Sequence, residues 1–326
     1  MARVAVITGA SSGIGRACAL AFARRGYRVA LIARSGDGLH AARTEVVALG
    51  GEALVLPLDV ADAQAIEAAA DTVEREWGGI DVWVNNAMVT VFSAVCDLTA
   101  EELRRVTDVT YHGAVWGTLA ALRRMAPRNR GAIVQVGSAL AYRSIPLQSA
   151  YCAAKAALRG FTDSLRSELI HQRSRVHVTM VQLPAVNTPQ FDVARSKTGR
   201  RPRPLGKIFQ PEIAAQAIVW AAEHRRRELW VGLPTEQAIM GTRIAPGLLD
   251  RLLAWRAVGG QKSSLAAPTS DNLFSTLPGD RGARGRFGSE AVDRSPHLWA
   301  ATHSGALYAT AIAVAALFLA WRASRG

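Results

Sequence analysis

Residues 3 to 15, RVAVITGASSGIG, constrain this chain more than any other stretch, because a β-branched apolar run passes straight into three spaced glycines and a helix-forming sequence. Arg3-Ile7 reads as a buried strand, which gives no reason to expect a signal peptide ahead of it. Gly9, Gly13 and Gly15 permit a tight turn and close approach of a phosphate, and the helix N-terminus supplies free N–H groups and partial positive charge. Ser11, Ser12 and Ile14 complete the turn. The spacing is TGxxxGxG, not the GxGxxG of other dinucleotide-binding turns.

The same alternation continues to about residue 235. Strands are predicted at Arg3-Ile7, Arg28-Ala33, Ala53-Leu58, Ile80-Val84, Gly131-Val136, Arg175-Leu183 and Glu228-Val231. Most are continuous apolar runs, the pattern of strands covered on both faces. Helices are predicted between them, among them Ala63-Trp77, Glu101-Met125, Ser149-His171 and Glu212-His224, with a Thr99/Glu102 capping box ahead of the second. Regular strand-helix alternation implies an α/β fold with a doubly wound parallel sheet of Rossmann type. The chain divides into a dinucleotide-binding domain over 1-235, an irregular extension over 236-297 and an apolar segment over 298-321. Residues 261-297, rich in Ser, Pro, Gly, Asp and Arg, show no period by which to pack and read as a linker.

Composition excludes disorder and collagen-like structure, since 49% of residues are hydrophobic and 20% charged. The formal charge of +13 raises a polyanion partner, but only four of the 39 basic residues are Lys, so an Arg-favouring composition explains it equally well. The basic residues fall mainly in loops and the extension, and no nucleic-acid partner is expected. Three cysteines, Cys18, Cys96 and Cys152, lack the number and spacing of a disulfide framework or a zinc site, and no metal is expected.

Tyr151 and Lys155 lie four residues apart in a predicted helix and share one face. A free phenol, with a pKa near 10, is a weak base at neutral pH, and a neighbouring ammonium favours the phenolate. Ser138, at the end of the fifth strand, stands where ligands of parallel sheets gather, and its hydroxyl can hold a substrate oxygen. The second strand ends in Ala33-Arg34 where an acidic residue would favour NAD, and Arg16 follows the Gly-rich turn. Two guanidinium groups suit the 2′-phosphate of NADP, though an Arg-rich surface would also account for them.

The Gly-rich turn together with Ser138, Tyr151 and Lys155 resembles the short-chain dehydrogenase/reductase family over about residues 3 to 232. The resemblance implies catalytic roles for Ser138, Tyr151 and Lys155, with Tyr151 and Lys155 also contacting the cofactor. It implies an adenine contact at Asp59-Val60, and it makes Asn85-Asn86-Ala87 the family's NNAG motif with Met88 in place of the Gly. Pro184 to Thr188 resembles its PGxxxT segment, with Ala185 for Gly and one residue fewer before the Thr, and the resemblance puts Thr188 on the nicotinamide carboxamide. One position departs: Thr110 stands where the family carries an Asn in a helix kink that serves a proton relay to the Lys. The resemblance also implies a homo-oligomer formed through the helices at Glu101-Met125 and Ser149-His171.

These features predict an NADP-dependent oxidoreductase that interconverts a carbonyl and an alcohol, with Tyr151 as acid/base. The alternative is a membrane-associated dinucleotide-binding sensor with little turnover. Residues 190-210 occupy the substrate-loop position and are basic and Pro-rich, suiting a lid, a patch for an acidic substrate or lipid headgroups, or a solvated loop. Leu298 to Trp321 contains no Asp, Glu, Lys or Arg and is long enough to anchor the chain in a membrane, a buried helix or dimer contact being the other reading. A demand for reduced cofactor places the globular part in the cytoplasm.

Overall fold

The computed structural model describes residues 2–303. Seven parallel strands form the central sheet: β1 Val4–Thr8, β2 Arg28–Ala33, β3 Ala53–Pro57, β4 Val82–Asn85, β5 Ala132–Val136, β6 His177–Gln182 and β7 Glu228–Trp230. Their order across the sheet is β7-β6-β5-β4-β1-β2-β3. All seven predicted strands are present. Every residue of β1, β4 and β5 is buried, as the unbroken apolar runs require of strands covered on both faces.

Helices α1 Gly13–Arg24, α2 Gly36–Ala48, α3 Ala63–Trp77, α4 Ala100–Thr107, α5 Gly113–Met125, α6 Ser149–His171 and α7 Pro211–Glu223 cover the sheet. One face is closed by a core containing Phe22, Leu31 and Ile218, and the other by Ile66, Trp83 and Ile133. The chain winds outward from β1 to β3, then returns to place β4 on the other side of β1. That reversal opens a crevice beyond the C-terminal ends of β1 and β4, where Gly9 and Asn86 follow.

The single helix expected over Glu101-Met125 is interrupted. Between α4 and α5 the backbone makes one wide π-turn at Asp108–His112. There the Thr110 hydroxyl donates to the Val89 carbonyl at 3.1 Å and accepts from the Val89 amide at 3.2 Å. A π-turn of this kind is itself a recognised cause of a kink, and periodicity does not register it. The Thr99/Glu102 capping box at the start of α4 is present.

The extension begins with α8 Leu233–Ile244 and α9 Pro246–Gly260. Beyond them the chain is irregular, as expected, yet it is packed against the domain. Lys262–Ala266 pairs antiparallel with Arg200–Pro202, and Ala291–Val292 pairs parallel with Ile208–Phe209, which pairs with Ala185–Val186. Leu273, Phe287 and Leu298 are buried. Isolated apolar anchors joined by short strands leave no period, so a sequence reading as a linker folds as a strap.

A short helix α10, Pro296–Thr302, holds the first residues of the expected membrane segment, with Leu298 in the core. The rest of that segment, 304–321, lies outside the described residues. No helix among the described residues is long and apolar enough to cross a membrane.

Candidate active site

The Gly-rich turn adopts the geometry its sequence predicts. Gly9 and Gly13 have φ of +70° and +58°, the left-handed region in which a side chain is strained. Gly15 is required for a different reason: a Cβ there would lie 2.1 Å from the Gly9 carbonyl oxygen and 2.7 Å from Asn86 Nδ2. Asn86 braces the turn, donating through Nδ2 to the Thr8 carbonyl at 2.9 Å, while its amide donates to the Thr8 hydroxyl at 2.9 Å. Asn85 points inward and bonds Trp83, Thr118 and Gln135, so within the NNA run Asn86 and Ala87, but not Asn85, reach the crevice.

One cavity of about 450 Å³ is lined by Gly9, Ser11, Ser12, Gly13, Ile14, Arg34, Asp59, Val60, Asn86, Ser138, Tyr151, Lys155 and Thr188. Among the predicted site residues only Gly15 stays off its wall, packed under the turn. Met88, Val89, Phe92, Leu140, Ile145, Phe191, Leu205 and Leu253 make the far end apolar.

Ser138 follows β5, and its hydroxyl accepts from the Leu140 amide at 3.1 Å. Tyr151 and Lys155 project from the first and second turns of α6 toward it. Burial pushes the Tyr151 phenol well above its ordinary value, and a hydrogen bond with Ser138 opposes the rise. The expected lowering by Lys155 is absent. Lys155 Nζ lies 5.7 Å from the Tyr151 ring centre and donates to the Val136 carbonyl at 2.6 Å. Desolvation dominates both groups: the Lys155 ammonium, 2% exposed, is pushed down to about 8.

The lysine has a measurable consequence for stability. Its folded-state pKa is depressed, so below pH 8 both folded and unfolded chains hold the proton and the burial cost is fully present. From about 8 to 10.5 the unfolded chain still binds a proton that the folded protein has released, so stability rises with pH. Relative to Lys155→Met, the wild type should gain on the order of 3 kcal/mol across that window, read as a closing gap in melting temperature. A gap that does not change with pH would show that the ammonium is not destabilised by burial.

The adenosine end differs from expectation. Arg16 is buried rather than free, bonded to Glu45 at 2.9 Å, to Asp280 at 3.2 Å and to the Gly38 carbonyl at 2.8 Å. Arg34 lines the crevice but donates to the carbonyls of Asn272 at 2.5 Å, Phe274 at 3.1 Å and Leu273 at 3.4 Å. Asp59 is held by Arg105 at 2.5 Å. Residues 272–281 of the strap therefore belong to the site, and Asn272, Thr276, Leu277, Gly279 and Arg281 line it. Nothing in the sequence of 272–281, NLFSTLPGDR, marks these residues as part of a site.

The basic loop 190–210 is largely neutralised within the chain. Arg195 pairs with Glu102 and Asp271, Lys197 with Glu102, Arg203 with Glu290, and Arg200 donates to the Ser264 carbonyl. An extended anion-binding patch is not what these residues form. Thr188 sits at the start of the loop, against Gly13.

A twisted parallel sheet with a Gly-rich turn and a Ser, Tyr and Lys on one crevice defines a nicotinamide-dinucleotide oxidoreductase. The sequence model of the short chain dehydrogenase family matches residues 3–199. The chain is 36% identical over 253 residues to the uncharacterized oxidoreductase YxnA of Bacillus subtilis, covering 77% of this chain and 71% of that one. It is 35% identical to the putative oxidoreductase SadH of Mycobacterium tuberculosis, covering 77% and 94%. An alcohol dehydrogenase from Thermococcus sibiricus, solved with 5-hydroxy-NADP, superposes with a TM-score of 0.62 at 29% identity, covering 71% of this chain and 96% of that one. A metagenomic short-chain oxidoreductase solved with NADP gives 0.60 at 29% identity, covering 70% and 95%. The chain belongs to the short-chain dehydrogenase/reductase family and is an oxidoreductase that uses a nicotinamide dinucleotide.

Proposed function

We propose that this protein is an NADP-dependent reductase of apolar ketones or aldehydes, with Tyr151 as the proton donor. The observation that carries this reading is the single cavity joining the Gly-rich turn to Ser138, Tyr151 and Lys155. The residues present suit a dinucleotide. Ser12 makes no capping bond to α1, so the Ile14 and Gly15 amides have no protein partner among the described residues and remain available to a pyrophosphate. NADP is favoured over NAD by the absence of a carboxylate directly after β2, where one would accept from the ribose hydroxyls of NAD.

When bound, the reduced nicotinamide supplies the hydride for the carbonyl carbon. Ser138 holds the substrate oxygen by a hydrogen bond from its hydroxyl. Tyr151 gives its proton to that oxygen as negative charge develops there. Burial holds the phenol protonated at neutral pH, the state in which it can donate to the substrate oxygen. Lys155 would hold the ribose side of the cofactor. Apolar walls from Met88, Phe92, Phe191 and Leu205 exclude water and select substrates with hydrocarbon groups. The sensor alternative loses ground, because the three side chains that turnover requires share the cavity.

The test is NADPH consumption by purified protein against a panel of aliphatic and aromatic ketones, aldehydes and quinones. Saturable oxidation is expected with apolar members, with a preference for NADPH over NADH. Consumption with none of them, despite tight dinucleotide binding, would favour the sensor.

A further inference from the structure

The strap residues 272–285 cross the phosphate end of the crevice and are fixed there at several points. The Gly279 amide donates to the Asp37 carboxylate at 3.0 Å, Asp280 pairs with Arg16, and the Gly282 carbonyl accepts from the Gly13 amide at 3.0 Å. The Gly285 amide donates to the Asn187 carbonyl at 3.2 Å, beside Thr188. This part of the chain lies beyond the residues that the family model matches.

The two arginines nearest that end are already committed, Arg16 to carboxylates and carbonyls in the interior and Arg34 to three strap carbonyls. Arg281 is not. It sits between two anchored residues, Asp280 and Gly282, is exposed, and lines the same cavity as Ser11, Ser12 and Arg34. Its neighbours Arg284 and Arg286 pair with Glu212 and Asp192, whereas no carboxylate among the described residues pairs with Arg281. A guanidinium on a fixed backbone loses little entropy on engaging an anion, and its planar fork matches a phosphate.

We propose that Arg281 is a cofactor-binding residue contributed by the C-terminal strap, reaching a phosphate of the dinucleotide from outside the Rossmann core. The proposal rests on the reading of the crevice as an NADP site. It adds a determinant that the first 235 residues do not contain. It also gives the strap a purpose: the bonds of Arg16 and Arg34 hold the segment in place, and Arg281 is the charge they position.

The test is calorimetric titration of the full chain with NADPH and with NADH, for wild type, Arg281→Ala, Arg281→Lys and, as a control for net charge, Arg294→Ala. Arg281→Ala is expected to weaken NADPH binding by about tenfold or more, with the melting temperature of the ligand-free protein unchanged. Arg281→Lys should restore part of the affinity and Arg294→Ala should match wild type. A loss confined to NADPH places Arg281 on the 2′-phosphate, and an equal loss with NADH places it on the pyrophosphate. Either supports the proposal. Unchanged affinity of Arg281→Ala for both dinucleotides would overturn it and leave the proposed function standing. A wild type that binds neither dinucleotide would overturn both.

Discussion

Tyr151→Phe is expected to slow carbonyl reduction by roughly 10³-fold, about 4 kcal/mol of transition-state stabilisation, while dinucleotide affinity stays within about twofold. The substitution removes one oxygen and keeps the ring against the crevice wall. Removing the phenolic proton leaves the developing alkoxide with Ser138 alone as a donor, and Ser138 cannot easily replace a proton it loses. The effect should fall on the chemical step, appearing in kcat with little change in KM. Steady-state and single-turnover rates measure it directly. A variant retaining a third or more of wild-type turnover would remove Tyr151 from the mechanism.

A comparably large effect, of different origin, is expected from Gly15→Ala. The added Cβ would meet the Gly9 carbonyl at 2.1 Å, a backbone atom of the turn itself that no rotamer change can move aside. Either the turn or α1 must shift, at a cost on the order of 3 kcal/mol, and the phosphate amides shift with it. Melting temperature and NADPH affinity should therefore fall together. Gly36→Ala, at the start of α2, is the matched control, since a Cβ there meets nothing within 4 Å and stability should stay within about 0.5 kcal/mol of wild type. Normal binding and melting of Gly15→Ala would show that the close packing of the turn on Asn86 and Gly9 is not required.

The central sheet and the reactive trio are legible in the sequence because both are encoded locally. Continuous apolar strands announce themselves without knowledge of their neighbours, and Tyr151 and Lys155 share a helix face by spacing alone. What is not legible depends on partners distant in the chain. A periodic helix is interrupted at a π-turn where Thr110 bonds Val89, 21 residues away. Arg16 is surface-like in composition but buried by Glu45 and by Asp280, the latter 264 residues distant. The strap has no amphipathic period because Leu273 and Phe287 are separated anchors and much of the rest is held by side-chain bonds to backbone.

The phenol's ionisation shows a similar limit. Spacing places an ammonium near Tyr151 but says nothing of desolvation, which in the folded protein raises the phenol and lowers the lysine. The consequence is a phenol that holds its proton at rest.

The central claim is that hydride arrival and proton donation by residue 151 occur on one carbonyl in one cavity. NADPH carrying deuterium at the transferable C4 position, incubated with an accepted ketone, measures both when wild type and Tyr151→Phe are compared. One deuterium is expected at the carbinol carbon of the alcohol formed by wild type, with labelled alcohol forming at about a thousandth of that rate in the variant. Labelled alcohol appearing equally fast from both proteins would contradict that claim.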